Sequence, residues 1–354
     1  MIQAHLIASI LTVSQPDVSR SPSVLFVRGA PRSGGFFEAD TDAQRTEHLA
    51  DIHNTSTIPG NHGWSELAEL LRSHGYSVSQ ITEPLEPQAP MHGPTSGAPI
   101  PFEIMDLSVY DVIVMGSNNA VYSPASIDAF EQYIRSGGSA LFIADAGFGS
   151  HWADASSSDQ QFLDRFGWVI QQDLGVYDLR REDNDFIEPD HPVLLGVDAI
   201  EGEGVSPGVW LGADVPGVHT SPLVRAQPGA MTRNNDGVPG SVRPVALTDA
   251  SLIVAHAECG RIALHFDRNT FFNTNGAGTD LNQLDHRVYA QNLFAWLARG
   301  GADLNLDRVT DFDDLLLFLV AFVNEDPGSD LTAPFGVFDI TDILAYLELF
   351  ERCR

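Results

Sequence analysis

The chain contains no lysine, so all 19 of its basic residues are arginines. That absence excludes a Schiff-base lysine, the lysine of a phosphate-binding loop and any amidase that works through lysine. Bases of either kind are scarce: 48 acidic residues face 19 basic ones, and the formal net charge is −29. A surface this acidic repels phosphate backbones, which excludes nucleic acid and favours cations or neutral ligands. Cysteine is nearly missing as well. Cys259 and Cys353 stand alone in 354 residues, too few for a disulfide framework, and their distance in sequence leads us to expect each to be unpaired. Long apolar runs are wanting too. The stretch from Ala4 to Val13 suits the core of a signal peptide and is too short to span a bilayer. It lacks a basic flank and a clean cleavage motif, so residues 1–20 read equally as a leader or as a first strand. No transmembrane segment is expected.

What the chain does have is a hydrophobic fraction of 43%, enough for a packed core and unlike a disordered chain. Its length suggests about two domains. "SVLFVRG" (Ser23 to Gly29), "DVIVMGS" (Asp111 to Ser117) and "SALFIADAGFG" (from Ser139) are short continuous apolar runs of the kind buried parallel strands show. "YSVSQIT" alternates as a further strand. Between them, Trp64, Leu67, Leu70 and Leu71 share one helical face ended by Gly75. Ser123 caps, and Pro124 opens, a helix bearing Ile127, Phe130, Tyr133 and Ile134. Strand–helix alternation of this sort predicts an α/β fold with a doubly wound parallel sheet. Residues 200–250 turn Gly-, Pro- and Val-rich, which predicts a β-rich insertion. "SLIVAHA" and "RIALHFD" then read as a pair of strands joined by "ECG". A closing helix from about Leu284 to Arg299 is expected to bury Val288, Leu293, Phe294 and Leu297.

The last 55 or so residues follow other rules. Asp303, Asn305, Asp307, Asp311 and Asp314 stand at positions 1, 3, 5, 9 and 12 of a calcium loop, with the Val309 carbonyl at position 7. "DDLLLFLVAF" (313–322) repeats as "TDILAYLELF" (341–350), and the second copy keeps Asp330, Asp339 and Asp342. Two small loop-plus-helix units of this kind should pack on each other as an all-α tail, residues 301–354. Arg308 occupies position 6, where glycine is usual because the chain turns sharply. In the second copy Thr332 replaces the asparagine, Ala333-Pro334-Phe335 displaces the third ligand, and the loop is one residue longer. Calcium is expected in the first loop, and the second is expected to be weak or empty.

These residues resemble the dockerin domains, in the form found at the C-termini of planctomycete secreted proteins. The resemblance implies calcium binding, docking onto a cohesin-like partner, an extracellular or cell-surface location and a polysaccharide-processing assembly. Relatives often finish in Gly-Cys, whereas this chain ends Arg352-Cys353-Arg354.

The body, residues 22–299, resembles the class I glutamine-amidotransferase-like fold, trehalose-utilisation-type relatives included. "DVIVMGSNNA", "GGSALFIADAGFG", "DHPVLLGV" and "GRIALHFDRNTFF" carry the likeness. In active members the strand matching "SALFIADAG" ends in a cysteine; here Asp145, Ala146 and Gly147 occupy that elbow, so no thioester route exists. His265 and Asp267 lie two apart on one face of their strand. With Asp145 they form a candidate acid/base set for a hydrolase. The favoured reading is nonetheless a body that binds rather than catalyses. In doubly wound sheets, ligands sit outside the carboxyl ends of the strands. Loops there carry Arg28, Asn118, Asn119, His151, Trp152, Arg268, Asn269 and Asn273, which suit a polar ligand such as a carbohydrate. A structural presenter with no ligand of its own is the remaining alternative.

Overall fold

The computed structural model of the chain describes residues 20–30, 49–55, 62–84, 97–118, 120–144, 153–170, 177–202, 208–210, 215–227, 230–233, 242–274, 276 and 278–354. Residues 1–19 of the leader candidate therefore lie outside the described residues. The first half contains β1 (Ser23–Arg28), α1 (Ser65–Ser73), β2 (Ser77–Thr82), β3 (Val112–Met115), α2 (Pro124–Arg135), β4 (Ser139–Ile143) and α3 (Ala153–Leu163). Short strands follow: β5 (Trp168–Ile170), β6 (Tyr177–Arg180), β7 (Ala199–Gly202), β8 (Gly208–Trp210), β9 (Val218–Val224), β10 (Met231–Arg233), β11 (Val242–Pro244) and β12 (Asp249–Ala250). The hairpin β13 (Leu252–Ala257) and β14 (Gly260–His265) precedes α4 (His286–Ala298), α5 (Phe312–Val323) and α6 (Ile340–Cys353). Among the described residues no helix is long and apolar enough to cross a membrane.

Seven strands build the main sheet in the order β2-β1-β3-β4-β14-β13-β9. The first five run parallel, while β13 is antiparallel to both β14 and β9. The apolar runs are continuous because both faces of the sheet are covered. Val112 and Val114 of β3 face a core shared with Leu67, Leu70 and Leu71 of α1 and with Leu293, Phe294 and Leu297 of α4. Ile113 and Met115 face the opposite core, with Phe130 and Ile134 of α2 and Phe162 and Leu163 of α3. This is a mixed α/β fold on a large, mostly parallel sheet. Ser123 caps α2 as expected, accepting from Ser126 N, with Pro124 in the first turn. One expectation fails on α4: Val288 is 39% exposed, and that helix instead buries His286, Tyr289 and Ala290 against the sheet.

The cysteines are a second correction. Cys259, in the β13–β14 turn, and Cys353, the last residue of α6, form a disulfide across a sequence separation of 94. The C-terminal helix is therefore fastened at the amino-terminal edge of the parallel strands, next to the starts of β4 and β14. Noncovalent contacts support the same docking. Arg299 at the end of the body pairs with Asp326 of the tail at 3.3 Å, and the Phe335 ring meets the His191 ring edge-on at 4.6 Å. Within the tail, Tyr346 Oη donates to Ala302 O at 3.0 Å. Phe318 of α5 and Tyr346 of α6 stack at 4.0 Å.

The repeat recurs in the tail's hydrogen bonds. Asp311 caps α5 in a reciprocal capping box with Asp314, and Asp339 caps α6 in the same way with Asp342. In the first loop Arg308 N donates to Asp303 Oδ2 at 2.7 Å; in the second, Gly336 N donates to Asp330 Oδ2 at 2.5 Å. Both closing residues are left-handed, with φ of 72° for Arg308 and 82° for Gly336. The extra residue of the second loop is thus absorbed before the closing position. Arg308→Gly is accordingly expected to stabilise the tail by roughly 1 kcal/mol by removing a left-handed non-glycine. A urea titration followed by the far-UV signal checks this, and an unchanged or lower midpoint contradicts it.

Candidate functional site

At the carboxyl edge of the sheet, polar side chains are buried that a core would otherwise exclude. Glu83, just past β2, is 0% exposed, and one of its carboxylate oxygens accepts from Tyr122 Oη at 2.6 Å. Asn118, past β3, is also fully buried and donates through Nδ2 to Ser158 Oγ at 2.8 Å. Arg268, past β14, is buried as well. Asp159 on α3 completes the set at 1% exposure.

Asp159 is strongly perturbed by its surroundings. Burial pushes its carboxyl well above the usual carboxylate range; the Asn118 amide and the Arg268 guanidinium pull it back only in part, and Glu83 raises it further. The Asn118 amide is near enough to act on Asp159, but its Nδ2 is committed to Ser158, and neither carboxylate oxygen of Asp159 nor Asn118 Oδ1 meets a partner at hydrogen-bonding geometry. Burial likewise drives the Tyr122 phenol well above its ordinary value, with the Glu83 charge adding to the effect.

The histidine singled out in the sequence has a different setting. His265 is 0% exposed, packed against Phe266, Phe271 and Tyr289. Thr270 Oγ1 donates to the Glu201 carbonyl at 2.8 Å, so its 3.1 Å contact with His265 must receive the Nε2 proton. Nδ1 is then the bare nitrogen and accepts from Tyr289 Oη at 2.9 Å. Burial, with His286 nearby, holds the imidazole well below the ordinary histidine range. Both ring nitrogens are therefore engaged in ties to α4 and β7. Asp267 is equally buried and accepts from Asn269 N at 2.8 Å. Asp145 lies outside the described residues.

The other candidates divide. Arg28 donates to Leu49 O at 2.9 Å and pairs with Asp51 at 3.3 Å, holding the chain that follows β1's loop. Asn273 accepts from Glu66 N at 2.9 Å in the first turn of α1 and donates to Asn54 O at 2.8 Å. That is the work of a scaffold bridge. Asn269 is 4% exposed in the short turn after β14. Asn119, His151 and Trp152 lie outside the described residues. Glu83, Tyr122 and Asp159 escaped the sequence reading. A signal existed for Asp159: it lies three and four residues before Phe162 and Leu163, on the helical face they bury.

In the tail, the side chains of the first loop wrap inward on main-chain N–H groups. Asp307 N donates to Asp303 Oδ1 at 3.0 Å and to Asn305 Oδ1 at 2.8 Å. Asp314 accepts from Leu304 N, Asn305 N and Asp311 N. Val309 N donates to Asp307 at 2.8 Å. Burial pushes Asp303 and Asp314 upward, with neighbouring carboxylates adding to it. In the second loop, burial, reinforced by Asp342 and Asp190, pushes Asp330 up to about 6. Among the described residues no three His, Cys, Asp or Glu side chains form a ready metal cage.

At the amino edge a cleft of about 630 Å³ opens between body and tail, lined by Arg20, Tyr110, Tyr133, Asp303, Leu306 and Arg308 among others. It lies at the opposite end of the strands from Asn118 and Asp159.

No protein-family model matches the chain, and no curated protein sequence does. Similar solved structures include the N-terminal domain of mmIFT52, at 14% identity and a TM-score of 0.45, covering 78% of this chain and 98% of that one. A ThuA-like protein from Parabacteroides merdae is 11% identical at a TM-score of 0.43, covering 79% of this chain and 90% of that one. Another, from Bacteroides uniformis, is 12% identical at a TM-score of 0.40, covering 81% and 94%. The neighbours thus include ThuA-like proteins, all at low identity.

Proposed function

We infer that the chain is a binding protein: its body takes a polar, uncharged ligand, with carbohydrate the first class to test, at the carboxyl edge of the sheet. The observation that carries this reading is the set of buried polar groups gathered there, Glu83, Asn118, Asp159 and Arg268. A hydrolase built on Asp145, His265 and Asp267 is the weaker reading, because His265 has no nitrogen left to move a proton.

The tail, on this reading, is dockerin-like, binds calcium in its first loop and docks a cohesin-like partner. Asp303, Asn305, Asp307, Asp311, Asp314 and the Val309 carbonyl would offer a hard cation an all-oxygen donor set. Bound calcium would neutralise carboxylates that otherwise repel one another. An extracellular or cell-surface location accords with a disulfide between body and tail, since such bonds persist in oxidising surroundings.

Two titrations test the reading. Calorimetry against a panel of mono- and disaccharides should give saturable binding without turnover; silence across the panel removes the body's role. Calcium should raise the tail's melting midpoint and EDTA should lower it. Asp314→Ala should abolish that difference, and a midpoint indifferent to both reagents ends the calcium reading.

A further inference from the structure

We propose that Asp159 and Asn118 are the recognition pair of the carboxyl-edge site and hold an uncharged ligand through adjacent hydroxyl groups. This rests on the polar-ligand reading and deepens it to named atoms.

The argument begins with Ser158. Its Oγ donates to Ala120 O at 2.8 Å, so its hydrogen is committed and it can only accept from Asn118. The Asn118 amide is thereby oriented, with Nδ2 toward Ser158 and Oδ1 turned away. That oxygen is buried and finds no donor, and the same is true of both oxygens of Asp159. A buried polar atom left without a partner costs about 1–3 kcal/mol, so three together are an unusual burden for a site with no task.

Their chemistry is complementary to hydroxyls. Burial pushes the Asp159 carboxyl well above the usual carboxylate range, and in its protonated form it offers one O–H donor and one carbonyl acceptor. Asn118 Oδ1 adds a second acceptor beside it. A pair of neighbouring hydroxyls can give a hydrogen to Asn118 and take one from Asp159. Charge favours a neutral ligand. Glu83 from beyond β2 and Arg268 from beyond β14 both act on Asp159, with opposite signs. Tyr122, which enters from before α2, stays neutral. An anion would meet Glu83, and a cation would meet Arg268.

The test uses the full chain and three proteins: wild type, Asp159→Asn and Asp159→Leu. Each is titrated with the mono- and disaccharide panel and melted. Asparagine keeps a donor and an acceptor, so Asp159→Asn should bind within a few fold of wild type. Leucine offers neither, and binding should weaken at least about tenfold, the equivalent of one good hydrogen bond. Its melting midpoint should hold or rise, because an unpartnered polar group has been replaced by an apolar one. If wild type and Asp159→Leu bind alike, the pair is wrong while the polar-ligand reading stands. If wild type binds no member of the panel, that reading falls and the pair with it. Should Asp159→Leu fail to fold, infrared spectra of wild type and Asp159→Asn at neutral pH decide. A protonated-carboxyl band lost in the asparagine variant supports the proposal, and its absence from wild type overturns it.

Discussion

Replacing His265 by alanine is expected to destabilise the protein by roughly 3 to 5 kcal/mol, combining a core cavity with the loss of partners for buried groups. The imidazole is the middle of a chain of hydrogen bonds running from Tyr289 on α4 through Thr270 to the Glu201 carbonyl of β7. A second histidine reinforces the same point. Glu201 N donates to His286 Nε2 at 2.8 Å, and His286 Nδ1 meets Asp280 O at 2.6 Å. Both main-chain polar groups of Glu201 are thus tied, directly or through Thr270, to a buried imidazole. Alanine at 265 leaves the Tyr289 hydroxyl, fully buried, without an acceptor. Guanidinium unfolding of His265→Ala gives the number. A variant as stable as wild type would mean that the histidine is kept for something other than the fold, and would reopen the hydrolase reading.

Cys353→Ser is expected to cost about 2 to 5 kcal/mol. A cross-link closing a loop of this length removes roughly 4 to 5 kcal/mol of chain entropy from the unfolded state, less any strain. The loop encloses β14, α4 and the whole tail, so the loss should fall on the C-terminal third. Reductant should reproduce it in wild type and have no further effect in the variant. Limited proteolysis should then begin in α6. If reductant leaves both the midpoint and the cleavage pattern unchanged, the noncovalent contacts of Phe335 with His191 and of Asp326 with Arg299 suffice to hold the tail.

The strands of the main sheet were readable because each is an apolar run bounded by turn residues, and burial on both faces demands such runs. Helix α2 was readable from Ser123 and Pro124, whose capping roles depend on local geometry alone. Helix α3 was not: "ADASSSDQQFL" is mostly serine and acid or amide, and its place in the fold comes from Phe162 and Leu163 near its end. Val288 misled because apolar character states a preference for burial without saying which flank of the helix meets the sheet. The disulfide was beyond reach, since nothing local to residue 259 or 353 reports a partner 94 positions away. The site divides along the same line. Arg28 ends a strand, Asn118 and Arg268 follow one, and all three could be placed by topology, whereas Glu83 and Asp159 matter through an environment that only three-dimensional packing supplies.

The disulfide also sets an orientation. Because α6 is bonded to the turn before β14, the tail sits at the amino edge and the polar cluster at the carboxyl edge, one sheet's length apart. Body and tail should therefore tumble with a single rotational correlation time, unlike two beads on a string. A surface that grips the tail would hold the molecule by one end of its sheet, with the polar cluster turned toward the far end.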